Sequence, residues 1–122
     1  MHGETIIEPV AAGTNRAAIE GGADFLAHPG FLAAEDAELA AEKGVFIEVT
    51  TRKGHSYTNG HVVNIARAAK AKMIINNDTH SPLDLLDEKM LKSLARGAGL
   101  SEKEIELCFN NSLELFNSKF EI

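Results

Sequence analysis

The stretch VFIEVTTRKGHSYTNGHVVNIARAAKAKMIINND, residues 45–78, decides the fold. VFIEV at 45–49 and KMIINND at 72–78 are short runs of strand-forming residues bounded by polar or glycine-containing segments. Between them, NGHVVNIARAAKA at 59–71 places its apolar residues at helical spacing. Two strands joined by one helix through such short connections run parallel, with a right-handed crossover. Working outward, ADFLAH at 23–28 reads as a further strand, and TNRAAIEGG at 14–22 and AEDAELAAEKG at 34–44 read as helices that end in glycine.

Downstream, Ser81 followed by Pro82, with an acid at Asp84, has the form of a helix N-terminus, and a helix is expected to begin there. Ser101 and Glu104 make a second capping-box pattern before SEKEIELCF, and the tail NNSLELFNSKF is expected to add one short helical turn. The class is α/β, built of parallel βα units. Both a doubly wound sheet and a partial barrel fit this order. A (β/α) barrel takes about 30 residues per unit, so this length corresponds to about four units, with open edges that another segment or a partner must cover.

The chain has 122 residues, 44% hydrophobic and 25% charged, which suits one globular domain over residues 1–122. A net charge of −6 gives no broad basic field, which disfavours nucleic acid as a partner. The lone cysteine, Cys108, stands among Ile105, Leu107 and Phe109 and reads as a small buried hydrophobe. No apolar run reaches the ~20 residues that span a bilayer, and MHGETIIEPV has neither a basic n-region nor an apolar h-region. The expected location is the cytoplasm.

Ionisable residues gather at the strand ends, where barrels and open α/β sheets alike carry their sites. His28 ends one strand before Pro29 and Gly30, Asp78 ends another with His80 two residues on, and His2 precedes Gly3 and Glu4 at the expected end of a first strand whose body is mostly missing. Imidazole and carboxylate donors suit zinc, manganese or iron. Each histidine alone reads as a satisfied core or loop residue; together with Asp78 they suggest a shared metal site. A second group, Arg52, Lys53, His55, Asn59 and His61, follows the strand at 45–49 and resembles an anion cradle, with positive charge and a glycine-containing loop before a helix. Glu48 is either partnered, with Arg52 or Lys53, or turned toward the polar rim. Glu4 and Glu8 read as exposed, with Glu4 near enough to support His2.

HGET at 2–5, FLAHPG at 25–30, EVTTRKGHSYTNGH at 48–61 and INNDTHS at 75–81 resemble motifs of the PHP (polymerase and histidinol phosphatase) superfamily. The RKGHSxTNGH stretch resembles its histidinol-phosphatase-like members. The resemblance covers most of the chain and implies the C-terminal portion of a distorted TIM-like (PHP) barrel with two or three divalent ions. It implies His2 and His28 as ligands, Asp78 and His80 as the closing pair, and a substrate-side loop at Arg52, Lys53 and His55. The family's opening HxH motif and bridging acid have no counterpart here, so an N-terminal half or a second copy is expected to supply them.

The expected activity is metal-assisted hydrolysis of a small phosphate monoester. Arg52, Lys53 and Asn59 would bind the phosphate, and His55 or His80 would protonate the leaving oxygen. A non-catalytic metal-binding or assembly module and a metal-dependent amidohydrolase are the alternatives.

Overall fold

The computed structural model describes residues 1–120. In chain order the elements are α1 (Thr14–Glu20), β1 (Phe25–Leu26), α2 (Ala34–Lys43), β2 (Phe46–Thr50), α3 (Asn59–Ala69), β3 (Met73–Asn76), α4 (Glu88–Gly97) and α5 (Glu102–Phe120), with single 3-10 turns at His55–Thr58 and Pro82–Asp84. The three strands form one parallel sheet in the order β1-β2-β3, with Leu26 beside Ile47 and Ile47 beside Met73. His2 adds a parallel bridge to Ala27 on the outer side of β1. Backbone bonds from Gly3 N–H to the Ala27 carbonyl and from Ala27 N–H to that of Met1, both 2.8 Å, make this a fourth, very short line of pairing.

Alternation along β2 sends Ile47 and Val49 to the face where Ala37 and Ala40 of α2 and Val62, Val63 and Ala66 of α3 complete the core. The small alanines let α2 approach the sheet closely. Glu35 and Asp36 in the first turn of α2, Lys43 in its last and Gly44 at φ 72 match the helix dipole and terminate the helix. The opposite face carries Phe46, Glu48 and Thr50, which are buried as well. α5 lies against β3: Asn111 Nδ2 donates to the Met73 carbonyl at 2.9 Å, and Lys119 reaches Asp24, just before β1, at 2.8 Å.

Two expectations about the C-terminal third are corrected. Ser81 and Asp84 do form a capping box, but they open only the 3-10 turn; Leu85 returns to extended backbone, and the helix proper starts after Asp87, whose carboxylate accepts from Met90 N–H at 2.8 Å. The tail is no separate turn, since α5 runs unbroken through Asn110, Asn111 and Ser112 to Phe120. Tertiary packing and the Asn111 bond to β3 outweigh the poor helix propensity of that run. The Ser101–Glu104 box is present, with Ser101 N–H on Glu104 at 2.9 Å and Glu104 N–H on Ser101 Oγ at 3.2 Å. Glu104 also takes a two-pronged bond from Arg67, which ties α3 to the start of α5 and holds its carboxyl down at about 2.

Candidate functional site

At the carboxyl ends of the strands lies a polar cleft of about 250 Å³, lined by Met1, His2, Glu8, Ala27, His28, Arg52, His55, Asp78 and His80. Each strand contributes where it stops. β1 runs into His28 at φ 31 and β3 into Asp78 at φ 46, left-handed conformations that side chains other than glycine rarely take. Both bends turn a strand-end side chain out of the ladder and into the cleft. Gly30, at φ 65, lets the HPG loop pass the N-terminal segment, since a Cβ there would lie 1.9 Å from the Glu4 carbonyl oxygen.

His28 is the centre of the cluster. Its ring stacks on His55 at 4.3 Å between centroids and meets the edge of His2 at 4.3 Å. Its Nε2 faces Asp78 Oδ2 at 3.8 Å, while its buried Nδ1 has no hydrogen-bond partner. Burial first, then the neighbouring His55 and His2, pushes its pKa down to about 4 against the pull of Asp78. The ring is therefore neutral at pH 7. His55 is also pushed down, chiefly by burial, with its Nδ1 2.7 Å from the Thr5 hydroxyl and its Nε2 3.5 Å from Glu8. His2 Nε2 lies 2.9 Å from the other Glu8 oxygen. His80 is the most open of the four, with its Nδ1 2.7 Å from the Asp78 carbonyl oxygen and 3.8 Å from Asp78 Oδ1.

Arg52 closes the cleft on the β2 side. Its Nη1 donates to the Asp78 carbonyl at 2.7 Å, lies 3.7 Å from Asp78 Oδ2 and touches His80 Nδ1. Behind it, Asp84 accepts from the His80 and Ser81 N–H groups and lies 3.9 Å from Arg52. The guanidinium thus already holds the place of a cation between Asp78 and His80.

His2, His28, Asp78 and His80 are gathered at one cleft, with His55 and Arg52 beside them. Among the described residues, however, no three His, Cys, Asp or Glu groups close around a common point as a bound ion requires. Lys53 is exposed and does not line the cleft. Asn59 does not line it either: the residue is buried, and its Nδ2 donates to the Thr50 carbonyl at 2.7 Å, which ties α3 to β2. Asn59 thus stands apart from the groups that line the cleft and joins two elements of the scaffold. The glycine loop is likewise partly closed on itself, since Ser56 N–H bonds to Arg52 and Tyr57 N–H to Gly54. His61 bonds to the Leu32 carbonyl at 2.8 Å, outside the cleft.

Three glutamates have roles that their sequence positions did not disclose. Glu8 bridges His2 and His55. Glu4 does not support His2: its carboxylate accepts from the N–H groups of Gly13 and Asn15, at 3.3 and 2.9 Å, at the start of α1. Glu48 pairs with neither Arg52 nor Lys53; it is 2% exposed and accepts from His28 N–H at 3.0 Å. Burial raises its carboxyl above the ordinary value, opposed by the His28 N–H and the Asn76 side chain. An acid inside an apolar strand was the available signal for Glu48, whereas nothing in IIEPV marked Glu8.

Fold and cleft together define an α/β protein with a histidine-rich site at the carboxyl rim of a parallel sheet. No protein-family model matches the chain. Over 107 residues, 87% of its length, it is 50% identical to an uncharacterized protein of Methanocaldococcus jannaschii, and the match covers 49% of that protein. The chain thus spans about half the length of this relative. Among the described residues no helix is long and apolar enough to cross a membrane.

Proposed function

We propose that the cleft belongs to a metal-dependent phosphoesterase of the PHP kind, acting on a small phosphate monoester. The observation that carries the reading is the meeting of four histidines and Asp78, from points as far apart as residues 2 and 80, around one cleft that also holds Arg52. The buried, neutral His28 imidazole, with an unpartnered nitrogen and a carboxylate beside it, has the donor chemistry of zinc, manganese or iron sites. His2, His28, Asp78 and His80 would hold the ions, and Glu8, which reaches both His2 and His55, would add an oxygen donor. The chemistry that divalent ions held there would supply is a lowered pKa for water near neutral pH.

The protein's own groups do the rest. Arg52 leaves the Asp78–His80 pair and turns its fork to the phosphoryl oxygens, where a charge-assisted pair is worth ~2 kcal/mol or more. His55, held by Thr5 and facing Glu8, protonates the leaving oxygen, because His80 serves as a ligand. Arg52 in the cleft favours phosphate over the carbonyl substrate of an amidohydrolase. The sequential order of the strands, with no reversal, suits a segment of a distorted barrel better than a doubly wound sheet, whose strand order reverses at its binding crevice. The outer edge at His2 would then pair with a further segment or a second copy, which completes the ligand set.

The test is turnover of p-nitrophenyl phosphate with added Mn²⁺ or Zn²⁺, by the unaltered chain and by His28→Ala, alone and with the relative's unmatched half supplied in trans. Metal-dependent release of nitrophenolate that His28→Ala abolishes supports the proposal. A folded chain that binds these ions yet hydrolyses no phosphoester in either setting supports the non-catalytic module instead.

A further inference from the structure

Among the described residues Glu48 is the one carboxyl group that is fully buried, and it does not line the cleft. Among the described residues it takes part in no ion pair. Enclosing such a group is costly when hydrogen bonds are its main compensation, and a leucine of similar size would suit the apolar strand FIEVT better. The compensation it does have is specific. Its Oε1 accepts the backbone N–H of His28 at 3.0 Å, the N–H of a residue at φ 31. The His28 N–H makes no backbone bond to the neighbouring strand, and a buried N–H without a partner is rare. Glu48 reaches across from β2 to fill that need.

The same side chain lies beside Asn76, the last residue of β3, two positions before Asp78. Asp78 is the other strand-end residue held in a left-handed bend, and its Oδ2 faces His28 Nε2 at 3.8 Å. β2 is the central strand, so a carboxylate on it can brace the ends of both neighbours at once.

We propose that Glu48 is a positioning residue of the cleft: by accepting the His28 N–H it holds the left-handed bend that aims the His28 imidazole at Asp78. Its effect on metal affinity rests on the phosphoesterase reading above; its effect on the His28 backbone does not. Glu48 touches neither substrate nor ion and acts only through His28. Groups that orient a ligating histidine in this way typically change metal affinity 10–100-fold when lost.

The experiment compares Glu48→Gln and Glu48→Leu with the unaltered chain, first without metal. Backbone NMR shifts and the HN–Hα coupling of residue 28 report its φ, and calorimetry then measures Zn²⁺ binding. Gln keeps a side-chain oxygen for the N–H, so the bend persists and affinity stays within about threefold. Leu folds at least as stably, but residue 28 moves to extended values and affinity falls at least tenfold. A Leu chain that keeps both the bend and the affinity overturns the proposal. If the unaltered chain binds no Zn²⁺, the phosphoesterase reading fails, and the coupling at residue 28 still decides the role of Glu48. A second measurement needs no variant: the His28 amide should exchange with solvent as slowly as the β2 amides, and exchange at a loop rate overturns the proposal.

Discussion

Lowering the pH should destabilise the metal-free fold through His28 in particular. Its folded-state pKa of about 4 lies below the unfolded value of 6.5, so the native state resists the proton that the unfolded chain accepts. Stability is intact above 6.5, falls as the pH drops, and the loss is complete once the pH is below about 4. At about 1.4 kcal/mol per pH unit, that interval amounts to about 3 kcal/mol, a large part of a small domain's stability. His28→Asn is the control, because asparagine tolerates a left-handed backbone and does not titrate. Urea unfolding in EDTA, at steps from pH 7.5 to 4, should show the two chains' stabilities converging by about 3 kcal/mol as the pH falls. Carboxylates elsewhere shift both chains equally and cancel in the difference. Parallel pH profiles for the two would refute the reasoning, since His28 would then titrate alike in the folded and unfolded states.

Gly30→Ala should cost roughly 3 kcal/mol or more in the same unfolding assay, from left-handed strain together with the clash of its Cβ with the Glu4 carbonyl. Gly44→Ala, at a similar φ of 72 but with nothing within 4 Å, should cost only about 1 kcal/mol. Cys108, buried and with its thiol pushed up to about 12 by burial and then by Glu104, should resist Ellman's reagent in the native chain and react at once in denaturant. In the phosphatase assay Arg52→Gln should lower kcat/KM by well over tenfold, whereas Lys53→Gln, exposed and outside the cleft, should change it less than twofold.

Much of the sheet could be read from residues 23–78 because its strands are buried on both faces and appear as plain apolar runs. VFIEV and KMIINND fall on β2 and β3, and the strand from ADFLAH is shorter than expected because left-handed His28 ends its pairing at once. The helix expected from Ser81 illustrates a local signal that is real but incomplete: the capping box forms, yet nothing after Leu85 continues it. In the tail, NNS looks like a break in the apolar pattern, and only the sheet beneath Asn111 shows why the helix continues.

For the cleft, strand-end position was enough to bring His2, His28, Asp78 and His80 to one place. It could not reveal their partners, which depend on side-chain reach across the fold. Glu8 comes back to His2 and His55 only because the N-terminal segment curls over the rim, and Asn59 turns away because the Thr50 carbonyl needs a donor.

Anomalous diffraction from crystals of the chain soaked in Mn²⁺ shows whether the cleft takes up an ion. The account predicts a Mn²⁺ peak in the cleft, with at least one nitrogen of His2, His28 or His80 and an Asp78 oxygen at about 2.0–2.3 Å, and with Arg52 displaced from Asp78. Crystals that take up Mn²⁺ elsewhere, or none at all, with Arg52 still seated between Asp78 and His80, would contradict it.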